Sequence, residues 1–436
     1  MSVVTHRQKP PAVEAVDFGA AAPRRWSPTT RFVFRVWFVF AVLLILPRSL
    51  EFFVRTGVWP SIANWAGRWP MVNLLHLPAR QLAGPMSGAD YAPDFMAAAV
   101  LGAVSVLTAV GWSLATRAPR DHRVLFVWLY TIVRFALGSL LLYYGWDKIL
   151  PAQFGAGPNL EKVIRPVAQL TPMELLWAFM SASRPYTVFT GLVEFIGGVL
   201  LFTRRTALVG AIIAALAMTN VLMLNVAYDV SVKFLAGQMF VMAFSLVAPY
   251  AGTLARVFLL HEPHGLAPLR LFGAPRRDQL ARIGGGVLAA VMIVWTYEMA
   301  HRVVTQITGG ERSFHGVWEV TSLGRPEPVS LVVTQTELWR YLVFPGDNTA
   351  AFVYTMSGEE TPYAVRIDET AGRLTLTPRP IAADRVKPSE WKFTFADADR
   401  VELRSPDEVS RAVAITLQRV DTRRWRLVAH RHAWRW

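Results

Sequence analysis

Seven stretches of the chain stay apolar for about twenty residues each, and after the seventh the period shortens. The seven lie near 32–54, 95–116, 123–147, 186–203, 205–227, 232–250 and 286–304, close to the ~20 residues a helix needs to cross a bilayer. Beyond them, short segments near 329–334, 338–344, 351–356, 364–368, 374–378, 391–395, 401–404, 412–419 and 426–430 tend to alternate apolar with polar residues. Turn residues separate them, among them Pro345, Gly346, Asp347, Asn348, Gly358 and Gly372. That is the spacing of antiparallel hairpins. The pattern predicts a polytopic α-helical membrane domain over 31–305 and an extracytoplasmic β domain over 306–436. The latter is expected to be a sandwich or a lipocalin-like barrel of about eight to ten strands. Residues 1–30, polar and proline-containing, read as a disordered cytoplasmic segment.

Two connections are long. Residues 55–93 carry Trp59, Trp65 and Trp69, a residue type that collects at the membrane–water interface. Residues 151–185 contain a short apolar piece at 174–180, which predicts a surface or re-entrant helix capping the bundle.

Composition agrees with this division. The chain has 436 residues, 53% hydrophobic and only 17% charged, against about 25% charged in ordinary soluble proteins. The net charge of +14 is uneven: residues 306–436 hold 18 Lys+Arg against 17 Asp+Glu, leaving 27 against 14 in the first 305. Basic loops between apolar spans report topology rather than nucleic-acid binding. They place the N-terminus in the cytoplasm and the C-terminus outside. The absence of cysteine excludes disulfides, cysteine-held iron–sulfur clusters and covalent haem. No histidine falls in mid-span, so axial ligation of a b-type haem is not expected. His261 and His264 lack a third ligand, and no metal site is expected.

The candidate chemistry lies inside the spans. On the third, Arg134, Gly138, Leu141, Gly145 and Lys148 share a face; on the fourth, Gly191, Glu194 and Gly198 do. Small residues let such faces approach closely, and a charge at mid-bilayer costs about 2.5 kcal/mol or more unless paired or hydrated. The expectation is an Arg134–Glu194 ion pair in the outer half of the bundle, with the arginine reaching outward. Asn220, Asn225, Asp229, Lys233 and Lys148, near Gln238, Tyr143 and Tyr144, would line a pocket above it for a quinone headgroup or a small polar metabolite. Alternatively, the pair only staples helices together, and Lys148, Asp229 and Lys233 set topology by snorkelling. In the β domain, Gly316-x-Trp318 resembles the opening of lipocalins, whose tryptophan plugs one end of the barrel. Arg419 or Arg426 is then expected to stack on Trp318.

The run Tyr144-Gly145-x-x-Lys148, followed by Gly191-x-x-Glu194-x-x-Gly197-Gly198 and Arg204-Arg205-Thr206, resembles the DoxX-like family of bacterial membrane proteins. The match extends to Asn220, Asn225, Asp229 and Lys233 in a longer subgroup with a C-terminal β domain. The resemblance implies a four-helix core at about 123–250 and a link to quinone redox complexes. On that basis the protein is expected to be a quinone-linked redox subunit, or a small-molecule-binding component of an envelope redox complex, meeting membrane lipid and a redox protein partner. If it is an enzyme at all, it would be a subunit of a quinone-using membrane oxidoreductase. The alternative is a non-catalytic envelope anchor whose outer β domain binds lipid or a protein.

Overall fold

A computed structural model describes residues 26–78, 82, 90–116, 122–155, 159–262, 275–308, 313–324, 338–346, 350–379, 388–405 and 414–425. Among them are seven helices long and apolar enough to span a membrane: α1 (Pro28–Val54), α2 (Ala92–Ala115), α3 (Arg123–Ile149), α5 (Arg184–Phe202), α6 (Ala207–Ala227), α7 (Lys233–Leu259) and α8, whose apolar part is Gln279–Gln306. A shorter helix, α4 (Pro172–Ala182), precedes α5. It starts where local chemistry says it should: Thr171 and Glu174 form a reciprocal capping box, with Pro172 in the first turn.

The segment after α1 is not a loop. It folds as helical turns at Val58–Ile62, Ala63–Arg68 and Trp69–Asn73, packed against α2 through Ala63, Ala66 and Gly67. Only Gly67 lets the backbone of Pro93 come so near. Two π-helical turns, Ala41–Ile45 and Ala63–Arg68, each end just before a proline, Pro47 and Pro70. Proline lacks the N–H that the regular ladder needs, and a widened turn absorbs the break.

The C-terminal region is a closed barrel: β1 (Gly316–Gly324), β2 (Trp339–Phe344), β3 (Ala350–Thr355), β4 (Glu360–Asp368), β5 (Arg373–Pro378), β6 (Ser389–Asp397), β7 (Arg400–Arg404) and β8 (Ala414–Arg419). Each strand pairs antiparallel with the next, and β1 pairs with β8. Closure leaves no free edge. The expected segments at 329–334 and 426–430 lie outside the described residues.

The barrel rests on the connection before α4. Leu160 and Ile164 cover Val317, Val343 and Tyr354 on the barrel's outer wall, and the Tyr354 hydroxyl donates to the Glu161 carbonyl. Arg165 bridges Glu174 of α4 at 2.9 Å and Glu360 of β4 at 3.0 Å. Burial favours the neutral form of Glu174. The backbone and hydroxyl of Thr171 and the charge of Arg165 outweigh it, holding this carboxyl below its usual range. Its contribution is present above the ordinary carboxylate pKa and lost as pH falls through the depressed value. Glu161 has the opposite sign: burial, with Glu360 and Glu174 nearby, raises it. Its contribution is full below the ordinary pKa and lost as pH rises through the raised value. Hydrogen exchange over 159–174, corrected for intrinsic rates, is therefore expected to slow as pH drops from neutrality into the ordinary carboxylate range, then to quicken below that range. A monotonic response would contradict this assignment.

Candidate functional site

The glycine faces read from the sequence meet. A Cβ on Gly191 would stand 2.8 Å from the Gly145 carbonyl oxygen, and one on Gly198 would stand 3.0 Å from that of Gly138. Helices α3 and α5 therefore run antiparallel in backbone contact. Gly197 and Gly210 repeat the device between α5 and α6. In this seam Lys148 Nζ donates to Glu194 Oε2 at 2.8 Å, with both side chains buried.

Arg134 is not the partner of Glu194. Gly138 faces Gly198 and Gly145 faces Gly191, so the same register puts Arg134 opposite Phe202, about eight residues or roughly 12 Å along the axis from Glu194. Direction compounds distance, because a helical side chain leans toward the N-terminus of its own helix. Arg134 therefore leans away from the barrel end, while Glu194, on an antiparallel helix, leans toward it. Lys148 leans down into the seam and meets the carboxylate. The expected outward reach of the arginine ignored this tilt.

Around the pair lies a polar belt at the barrel end of the bundle. Lys148 Nζ sits 5.5 Å from the centre of the Tyr144 ring, Tyr143 stands beside the buried Asp147, and Arg184 donates to the carbonyls of Lys148 and Ile149, closing the end of α3. On the far side of Tyr144, Arg48 pairs with Asp94 at 3.2 Å, and the Trp59 indole donates to the same carboxylate at 3.1 Å. Gln238 donates to Ser49 and to the Ile45 carbonyl. Lys233 joins Asp229 at 2.7 Å and Asp90 at 3.3 Å.

Of the residues singled out from sequence, Lys148 and Glu194 come together. Asp229 and Lys233 pair in the turn between α6 and α7, with the Asp229 side chain 82% exposed. Asn225 is buried, and its carbonyl accepts from Val230 in that turn. Asn220 is exposed and stands apart from the belt. Arg48, Asp94, Trp59, Asp147 and Arg184 belong to the belt and were not assigned to it. Asp94 and Asp147 are carboxylates at the ends of spans, and Arg48 is a cation inside the first apolar stretch, a signal of the same kind as Arg134.

Chemically, the Lys148–Glu194 pair is a neutralised staple. The helices on either side touch through backbone, which leaves no passage for a ligand between them at that level. The remaining groups offer hydrogen bonds at the bundle's end; Asp147 Oδ1 and Arg48 Nε have no partner among the described residues.

The barrel presents a different kind of interior. Its inner wall is apolar along every described strand, from Leu342, Phe344 and Val353 to Leu374, Leu403 and Leu417. One end is plugged. Trp318 donates its indole N–H to the Phe314 carbonyl at 2.7 Å, and the Arg419 guanidinium lies 4.3 Å from the Trp318 ring centre. Arg419 also donates to the carbonyls of His315 and Ser313. Of the two arginines expected to stack on Trp318, Arg419 does so; Arg426 lies outside the described residues. Toward the other end, Trp339 and Trp391, from opposite walls, meet at 5.6 Å, with Tyr363 6.5 Å from Trp339. All three are half-buried.

These features define a polytopic helical membrane protein that carries a closed eight-stranded β-barrel at one end of its bundle. No family model matches the chain, and no solved structure matches it. Over 115 residues, 26% of this chain and 71% of the relative, it is 30% identical to the uncharacterized protein YwoB of Bacillus subtilis strain 168. The chain belongs to the family of that protein.

Proposed function

We propose that this is an envelope protein whose helices anchor, on the outer face of the cytoplasmic membrane, a barrel that holds an apolar ligand of the lipid class. The observation that carries this reading is the asymmetry of the barrel among the described residues: an apolar inner wall, one end pinned by Trp318 and Arg419, and half-buried Trp339, Tyr363 and Trp391 toward the other. Eight strands make an interior that side chains nearly fill, or that holds one small ligand. Amphipathic rings at a mouth can swing aside for an apolar chain. The basic loops support an N-terminus in the cytoplasm, which puts the barrel outside.

The test is titration of the full chain with a fluorescent fatty acid. Saturable binding is expected, weakened at least tenfold in Trp391→Ala and in Trp339→Ala. Absence of saturable binding by the wild type would end the proposal.

Asp147 Oδ1 and Arg48 Nε, without partners among the described residues, favour a second reading, in which a quinone headgroup docks on the polar belt. The glycine–glutamate motif that resembles the DoxX-like family supports the same context. Quinone retention by the purified chain that is sensitive to Asp147→Asn but not to Trp391→Ala is what this reading expects.

A further inference from the structure

At the end of the helical domain away from the barrel, the α5–α6 hairpin turns back early. With Phe202 opposite Arg134, it stops about eleven residues, roughly 16 Å, short of the first residue of α3. Helix α8 also continues past it, starting at Pro275. The notch left between the two long helices has a volume of about 470 Å³. Arg134 of α3, Arg204 and Arg205 of the hairpin turn and Arg282 of α8 all line it, and no acidic residue does among those described.

Arg134 is the deepest of the four. It is 4% exposed, its guanidinium lies 4.8 Å from the Phe135 ring centre, and its Nε has no hydrogen-bond partner among the described residues. A buried guanidinium whose Nε lacks a partner among the described residues is costly, and Arg134, Arg205 and Arg282 around one cavity repel each other. An anion in the notch relieves both. The α8 wall is bare at Gly284, where a Cβ would meet nothing within 4 Å, so a group can approach the helix backbone. Trp128 and Leu288 at the margins are 46% and 37% exposed. They sit on the perimeter of the bundle, so the opening faces acyl chains as well as water.

We propose that this notch binds the phosphoryl headgroup of an anionic membrane phospholipid, with its acyl chains running beside Trp128 and Leu288. Arginine forks match phosphate oxygens two at a time, and basic pockets between membrane helices suit such headgroups. The site is independent of the barrel and of any ligand there.

Native mass spectrometry of the detergent-purified full chain tests it, with phosphatidylglycerol, phosphatidylcholine and inorganic phosphate as probes. The wild type is expected to retain one phosphatidylglycerol at least tenfold more tightly than phosphatidylcholine. Arg134→Gln is expected to lose that preference, and Arg282→Gln, an exposed position that does not threaten folding, to weaken it severalfold. Arg165→Gln, beside the barrel, is expected to behave as wild type. Equal retention of the two lipids, or an unchanged preference in Arg282→Gln, overturns the proposal. Displacement of the lipid by millimolar phosphate also overturns it, in favour of a site for the free anion.

Discussion

Lys148→Ala in the full chain is expected to lower stability by about 3–5 kcal/mol, because it leaves the Glu194 carboxylate buried without its cation. The pair is nearly inaccessible, at 9% and 3% side-chain exposure, and Lys148 also packs against Gly191 and Tyr144. Arg134 cannot substitute: it is displaced about 12 Å along the helix axis from Glu194 and leans the other way. Removing both charges together, as in Lys148→Met with Glu194→Leu, is expected to recover most of the loss, since a buried pair and an apolar pair of similar volume are often close in stability. The measurement is unfolding by sodium dodecyl sulfate titration from mild detergent, followed by circular dichroism. A single substitution costing under about 1 kcal/mol would mean that the carboxylate has water or a proton in place of lysine.

Trp318→Ala is expected to cost a similar amount, about 3–5 kcal/mol, confined to the barrel. The side chain is fully buried and touches the Phe314 and Phe395 rings. Its loss opens a cavity and strips Arg419 of the ring beneath it. Arg419→Met should be milder. It keeps much of the volume but gives up the cation–π contact, worth roughly 0.5–2 kcal/mol, and the bonds to the Ser313 and His315 carbonyls. Near-ultraviolet circular dichroism with thermal melting of the full chain reads both, and Trp318→Phe is the intermediate control. If Arg419→Met exceeds Trp318→Ala, the arginine and not the tryptophan holds that end closed.

Much of this architecture is legible as pattern. Spans of about twenty apolar residues, alternation near 306–436, and glycines at 138, 145, 191 and 198 each correspond to an element or contact that forms. Hydrophobic period reports burial directly, and glycine spacing reports how near two backbones come. Gly316-x-Trp318 was legible for a similar reason, because a ring that large at a strand's start has few places to go. The polar belt was not. Arg48, Asp94 and Trp59 are far apart along the chain, and the helical turns at Val58–Asn73 that bring Trp59 back were read as a loop because their prolines and tryptophans hide the helical period.

By itself, then, the sequence determined which segments are long and apolar enough to cross a membrane, that the C-terminal part folds as antiparallel strands, and which helix faces meet. All of these follow from local periodicity and side-chain size. Only the tertiary structure decided which cation meets Glu194. Two residues on antiparallel helices can share a depth and still diverge, because each Cβ leans toward its own helix's N-terminus. That tilt, invisible in residue spacing, brings Lys148 to Glu194 and turns Arg134 toward the notch at the opposite end.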